Sequence, residues 1–196
     1  MSDNDNKISA AVSSVTDRIN VILQNKSHII VAIDGRCAAG KSTFANALKE
    51  KLNCNVIHMD DFFLRPEQRT AQRLATAGEN IDHERFLSQV LLPLSKYEVC
   101  SYRAYDCHTQ TFRSPVSVSP TAVTIVEGSY CCHPALFDYY DIRIFLDIDS
   151  KEQMNRIVMR NGEAAAQQFK KTWIPLEEKY FSAFDVENRC DMTLEL

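Results

Sequence analysis

The chain has 196 residues, 45 % of them hydrophobic and 24 % charged, and its 22 basic and 26 acidic side chains leave a net charge of −4. That length suits one domain with a full core, and the acidic balance excludes the basic footprint of a nucleic-acid binder or of a ligand for anionic membranes. The polar start Met1-Ser2-Asp3-Asn4-Asp5-Asn6-Lys7, with no later apolar run near the roughly 20 residues that span a bilayer, predicts a cytoplasmic protein without a signal peptide.

Taken in chain order, residues 1–7 are expected to be disordered, and the helical spacing of Ile8, Ala11, Val12, Val15, Ile19, Ile22 and Leu23 predicts an amphipathic helix over 8–24. Residues 29–33 form a continuous apolar run of the kind that suits a strand buried on both faces of a parallel sheet. Similar runs cover 55–59, 122–126, 142–148 and, more weakly, 192–196, with helical stretches at 41–52, 83–95, 150–160 and 174–184. Strands alternating with helices predict an α/β protein with a parallel sheet. Residues 97–105 look extended, and 109–120, with Pro115 and Pro120, read as a hairpin or loop excursion. No boundary divides the chain, so 1–196 is expected to be one domain with a substrate-side insertion near 60–115. The seven cysteines (37, 54, 100, 107, 131, 132 and 190) form no CxxC pair and read as reduced, mostly buried thiols.

Gly35-Arg36-Cys37-Ala38-Ala39-Gly40-Lys41-Ser42 fits the pattern G-x-x-x-x-G-K-[ST] without a gap, between an expected strand and an expected helix that opens with Ser42 and Thr43. Successive backbone N–H groups of such a loop wrap a phosphate, which asks for positive φ at the glycines. The following helix aims its N-terminal dipole at the same anion. Lys41 would then reach the β- and γ-phosphates, and the Ser42 hydroxyl would complete a Mg²⁺ shell.

The Asn-Lys-x-Asp guanine reader of GTPases is missing downstream, so a small ATP-dependent kinase fits better. Glu127 closes the run Thr124-Ile-Val-Glu127-Gly128, where a second carboxylate on the Mg²⁺ side is expected. Asp60 and Asp61 close the run His58-Met59-Asp60-Asp61-Phe62-Phe63, at a strand end that faces the ligand crevice in this architecture. Asp60 could take the proton of an acceptor hydroxyl or help to hold the metal.

The phosphate loop, Met-Asp-Asp-Phe-Phe and Val-Glu-Gly, in that order, resemble the uridine kinase-like family of P-loop kinases, a group that also holds phosphoribulokinase, pantothenate kinase and nicotinamide riboside kinase. The resemblance covers roughly residues 28–160 and implies a P-loop three-layer sandwich with a five-stranded parallel sheet. It implies that Asp60 is the catalytic base, that Phe63 lines the acceptor pocket, and that Asp82 of Ile81-Asp82-His83 binds ribose hydroxyls. Tyr105 and His108 of Tyr105-Asp106-Cys107-His108 would hold the nucleobase, although Cys107 stands where the family has an aromatic. Arg156 and Arg160, four apart on one helical face, match the start of the family's lid, placed here at about 156–172. The function expected is transfer of the γ-phosphoryl group of ATP, with Mg²⁺, to a hydroxyl of a small molecule, most simply a nucleoside. A vitamin precursor or a sugar is the alternative acceptor, and a nucleotide-binding regulatory ATPase without acceptor is a further one.

Overall fold

The computed structural model describes residues 3–196, with side chains from residue 6 onward. Five strands form one sheet in the order β2-β5-β1-β6-β7, and every neighbouring pair is parallel. They are β1 (Ile29–Gly35), β2 (Asn55–His58), β5 (Val123–Glu127), β6 (Ile142–Asp147) and β7 (Met192–Glu195). All seven residues of β1 and all five of β5 are buried, because these strands sit inside the sheet with helices over both faces.

The period-two alternation of β1 divides the core into two layers. Ile29, Val31 and Ile33 face a cluster with Val15 and Ile19 of helix α1 (Asp3–Leu23) and Phe44, Ala45 and Leu48 of α2 (Lys41–Leu52). Ile30 and Ala32 face the opposite cluster, with Met59, Phe62, Phe86, Phe145, Tyr180 and Phe181. α1 already runs from Asp3, so residues 3–7 are helical rather than disordered, while Met1 and Ser2 lie outside the described residues.

Between β2 and β5 the chain makes 3₁₀ turns at Met59–Phe62 and Pro66–Gln68, helix α3 (Ala71–Ala75), and a helical stretch built from α4 (His83–Phe86) and α5 (Leu92–Ser95). A separate antiparallel hairpin follows, β3 (Cys100–Asp106) with β4 (Thr111–Val118), interrupted by a register shift between Arg103 and Tyr105. The hairpin reading of 109–120 is the right one, with Pro115 on a strand that has no second neighbour.

After β6 come α6 (Ser150–Gln168), α7 (Ile174–Phe184) and α8 (Val186–Arg189). Gly162, at φ 80° and ψ 164°, breaks α6, which is why helical periodicity fades near residue 160. Two wide π turns, Leu87–Leu91 and Phe169–Trp173, each end two residues before a proline, Pro93 and Pro175. A proline lacks the N–H and crowds the carbonyl four residues back, and a wider turn relieves both faults. Among the described residues no helix is long and apolar enough to cross a membrane.

Candidate active site

The strand register brings the chemistry to one edge of the sheet. Glu127 pairs with Ile33 of β1 and with His58 of β2, and Gly35 pairs with Leu146 of β6. The C-terminal ends of four strands therefore meet where Gly35 begins its turn, the usual position of a ligand crevice in such a sheet. Gly35 has φ 133°, and a Cβ there would lie 2.1 Å from the Leu146 carbonyl oxygen, so only glycine fits. Gly40 caps α2 at φ 95°, and Ala38 also sits at positive φ, 62°. These positive φ angles curl the loop over the start of α2, with the Ala39 amide donating back to the Arg36 carbonyl at 3.2 Å.

A cavity of about 570 Å³ opens over this edge. Its wall includes Cys37, Ala38, Gly40, Lys41, Ser42 and Thr43 from the cradle, and Arg156, Arg160, Phe169 and Trp173 from α6 and the turn that follows it. Residues 60–107 contribute Asp60, Phe63, Leu64, Arg69, Leu74, Asn80 and Cys107, and the end of β5 and α7 contribute Glu127, Gly128, Ser129, Tyr130 and Glu177. Lys41 donates through Nζ to the carbonyls of Gly35 (2.6 Å) and Arg36 (2.9 Å) and to Ser129 Oγ (3.3 Å). The Ser42 hydroxyl donates to Glu127 Oε1 at 3.0 Å, and the same oxygen meets His58 Nδ1 at 2.5 Å. That hydrogen bond is the main reason why the His58 pKa is raised. The crowding of the cleft pushes the Asp60 carboxyl up, against the pull of Lys41, and the Glu127 charge adds to the rise. Its partner in sequence goes elsewhere: Asp61 Oδ2 accepts the Tyr102 hydroxyl at 3.3 Å, on the hairpin side.

Several residues expected at the site stand apart from it. The Arg36 amide donates to the Leu146 carbonyl at 3.1 Å, and its guanidinium turns away to Glu178 (2.8 Å) and Asp147. Gly35, Arg36 and Ala39 thus shape the loop without lining the cavity, and Arg36 ties it to α7 and β6. Asp82 is buried and faces inward: it caps α4 through the Arg85 amide (3.1 Å) and accepts from Gln68 Nε2 (2.9 Å), with Arg85 Nε at 3.5 Å. Tyr105 is buried against Phe112, and His108 is exposed in the hairpin turn where its amide donates to Asp106. Neither they nor Asp82 line the cavity. Cys37 lines it, and burial first, then the Glu177 charge, pushes its thiol up to about 12, which fits its reading as a reduced thiol.

Other residues matter that motif reading passed over. Glu177 is buried, accepts the Cys37 amide at Oε2 (3.0 Å) and the Ser129 hydroxyl at Oε1 (2.6 Å), and so braces the phosphate loop from α7. A signal for it existed: Ile174, Glu177, Phe181 and Phe184 recur at helical spacing, which puts an acid on an apolar face. Asp34, just before the loop, is fully buried and accepts four hydrogen bonds, from the amides of Gly35 (2.7 Å), Tyr130 (3.2 Å) and Cys132 (2.8 Å) and from the Tyr180 hydroxyl (2.9 Å). Burial outweighs these bonds and raises its pKa to about 6.

The chain is similar over 147 residues, at 31 % identity and 69 % of each sequence, to a uridine kinase of Alkaliphilus metalliredigens. It is 33 % identical over 141 residues to the human nicotinamide riboside kinase 2, covering 68 % of this chain and 58 % of that protein. Among solved structures, one described as a possible uridine kinase from Bacillus stearothermophilus superposes with a TM-score of 0.66 at 20 % identity, over 93 % of this chain and all of that one. No family model matches.

Proposed function

This chain belongs to the uridine kinase-like family of P-loop kinases, and on that premise we propose that it moves the γ-phosphoryl group of ATP to a hydroxyl of a small molecule held between the phosphate loop and residues 60–115. It is a phosphotransferase with an alcohol as acceptor, and the family implies ATP as the nucleotide. The observation that carries the reading is the convergence of Lys41, Ser42, Glu127 and Asp60 on one cavity.

The loop amides and Lys41 hold the β- and γ-phosphates, and Lys41 gives up its carbonyl partners to do so. The residues present fit Mg²⁺: the Ser42 hydroxyl and the Glu127 carboxylate, 3.0 Å apart, are hard oxygen donors, and one Glu127 oxygen already gathers two donors. When bound there, Mg²⁺ would neutralise charge on the phosphate oxygens. The acceptor oxygen attacks the γ-phosphorus, the bond from phosphorus to the β–γ bridging oxygen breaks, ADP leaves, and the acceptor proton passes to Asp60. A carboxyl raised above its ordinary range is a better proton acceptor near neutrality. Arg156 and Arg160, with the rest of a lid over 156–172, cover the phosphates and exclude water. The reaction belongs in the cytoplasm, within one kinase domain.

A nucleoside is the first reading of the acceptor, supported by the names of the relatives. The placement of Asp82, Tyr105 and His108 away from the cavity wall favours a second reading, another small alcohol. Coupled ADP release over uridine, nicotinamide riboside, pantothenate and sugars, with Asp60→Asn as control, tests both. Acceptor-dependent release that disappears in Asp60→Asn is expected. Release at one rate with or without every acceptor would make the protein a regulatory ATPase instead.

A further inference from the structure

Residues 60–115 contain six arginines, and five of them are held by the protein itself. Arg65 meets Glu67 (3.1 Å), Arg73 meets Glu84 (2.7 Å), and Arg85 meets Asp82 (3.5 Å). Arg103 donates to the Arg113 carbonyl (2.7 Å), and Arg113 meets Asp106 (2.8 Å). Arg69 is the sixth. It is exposed in the cavity wall, and among the described residues its side chain makes neither a hydrogen bond nor an ion pair.

The other cations of the wall are engaged: Lys41 by loop carbonyls, Arg156 by Glu152 (2.8 Å), and Arg160 by the Asn161 side chain (2.8 Å). The acids of the wall do not answer Arg69 either. Glu127 receives Ser42 and His58, and Glu177 receives Cys37 and Ser129. Asp60, the third carboxylate of the wall, makes no ion pair with Arg69 among the described residues.

The backbone beneath Arg69 is nevertheless fixed. Its amide donates to the Pro66 carbonyl (3.2 Å), and the Pro66–Gln68 turn is pinned by Gln68, whose side chain accepts from the Arg65 amide (3.0 Å) and donates to buried Asp82 (2.9 Å). Asp82 thus acts on the acceptor chamber at second hand, by holding the turn that presents Arg69. An arginine on a fixed turn, in one cavity lining with Phe63, Leu64 and Cys107 and without an ion pair among the described residues, offers a planar fork that suits an oxyanion.

We propose that the acceptor is an alcohol bearing an anionic group, a carboxylate or a phosphate, which Arg69 receives while the hydroxyl lies at Asp60. This rests on the kinase reading above and deepens its second form. A neutral nucleoside offers Arg69 nothing but neutral oxygens, and a charge-assisted pair is roughly twice as strong as a neutral hydrogen bond.

Matched alcohols with and without an acid decide it: pantothenate against panthenol, glycerate against glycerol, and D-ribose 5-phosphate against D-ribose. Uridine and nicotinamide riboside serve as neutral references, with wild type, Arg69→Gln and Arg69→Lys followed by ADP release. The expected result is that at least one acid exceeds its neutral partner by about tenfold or more in kcat/KM. Arg69→Gln should bring that ratio towards one through KM, with the KM for ATP unchanged, and Arg69→Lys should restore part of it. The carboxylate and phosphate pairs show which oxyanion is read. Equal use of a neutral partner, or a ratio indifferent to Arg69→Gln, overturns the proposal. If Mg²⁺-ATP binds but no acceptor of the set turns over, calorimetry of pantothenate and D-ribose 5-phosphate on protein saturated with Mg²⁺ and a non-hydrolysable ATP analogue supplies the answer. Binding of either that Arg69→Gln removes supports the proposal, and absence of binding overturns it. Failure of the kinase reading would show separately, as no Mg²⁺-dependent affinity for ATP.

Discussion

On the nucleotide side of the cavity, one unbroken octapeptide between β1 and α2 supplies backbone amides, a lysine and a hydroxyl, and two glycines fix its path. On the acceptor side, the wall is assembled from Asp60, Phe63, Leu64, Arg69, Leu74, Asn80 and Cys107, which come from turns, a short helix and a hairpin. The first side is made mainly of main chain, and the second mainly of side chains. Main-chain recognition of phosphate tolerates little change, because a Cβ at Gly35 would collide with Leu146. Side-chain recognition can be rebuilt by moving a turn by one residue, so it is where related kinases are free to diverge.

The largest effect that can break this comparison belongs to the nucleotide side. Lys41→Ala removes the ammonium that lies against the loop carbonyls and should cost on the order of 10³-fold in kcat/KM. A loss below tenfold in steady-state kinetics would remove Lys41 from the phosphates. Asp60→Asn comes next, at about 10²-fold or more in kcat with the ATP affinity kept. Wild-type activity should also fall as the pH drops through the Asp60 pKa, which desolvation inside the cleft raises above the ordinary carboxylate value although the residue is still open to solvent. A pH–rate profile of Asp60→Asn that keeps this acidic limb would assign it to another group.

Asp34 tests the floor that both sides share. Its folded-state pKa, about 6 against an ordinary 3.8, means that the folded chain binds this proton more tightly than the unfolded one. Its contribution to stability is therefore complete below about pH 3.8 and is lost as the pH rises through about 6, a change of roughly 3 kcal/mol. Urea unfolding of wild type and Asp34→Asn from pH 4 to 7 should show this slope in the wild type and a flatter one in the variant. The smallest effect sharpens the acceptor side. Asp82→Asn should lower stability by about 1 kcal/mol, because one cap and two charged contacts weaken, and should raise the acceptor KM more than it lowers kcat. A fall in kcat without any change in unfolding would return Asp82 to direct contact with the substrate.

Much of the frame was legible. The ends of α2 and α7 follow from apolar periodicity, and the parallel sheet follows from the apolar runs of β1 and β5 alternating with helices. The cradle was legible because its requirement is local: glycines at two places, then a lysine and a hydroxyl. Asp82, Tyr105 and His108 were carried over by likeness of short motifs, and a motif of three residues does not state which way its side chains turn. For Glu177 the helical spacing marks an acid on an apolar face but not its partner, and for Asp34 nothing local marks either. Each acts across more than 90 residues of chain, Glu177 on Cys37 and Asp34 on Tyr130 and Cys132, and no local pattern records such contacts.

The most direct test of the nucleotide side uses Trp173, the single tryptophan of the chain and part of the cavity wall. Its fluorescence should change saturably when a non-hydrolysable ATP analogue is added with Mg²⁺, and the change should vanish without Mg²⁺ or in Lys41→Ala. A signal that never saturates in the wild type, or one with the same midpoint in Lys41→Ala, would contradict the account.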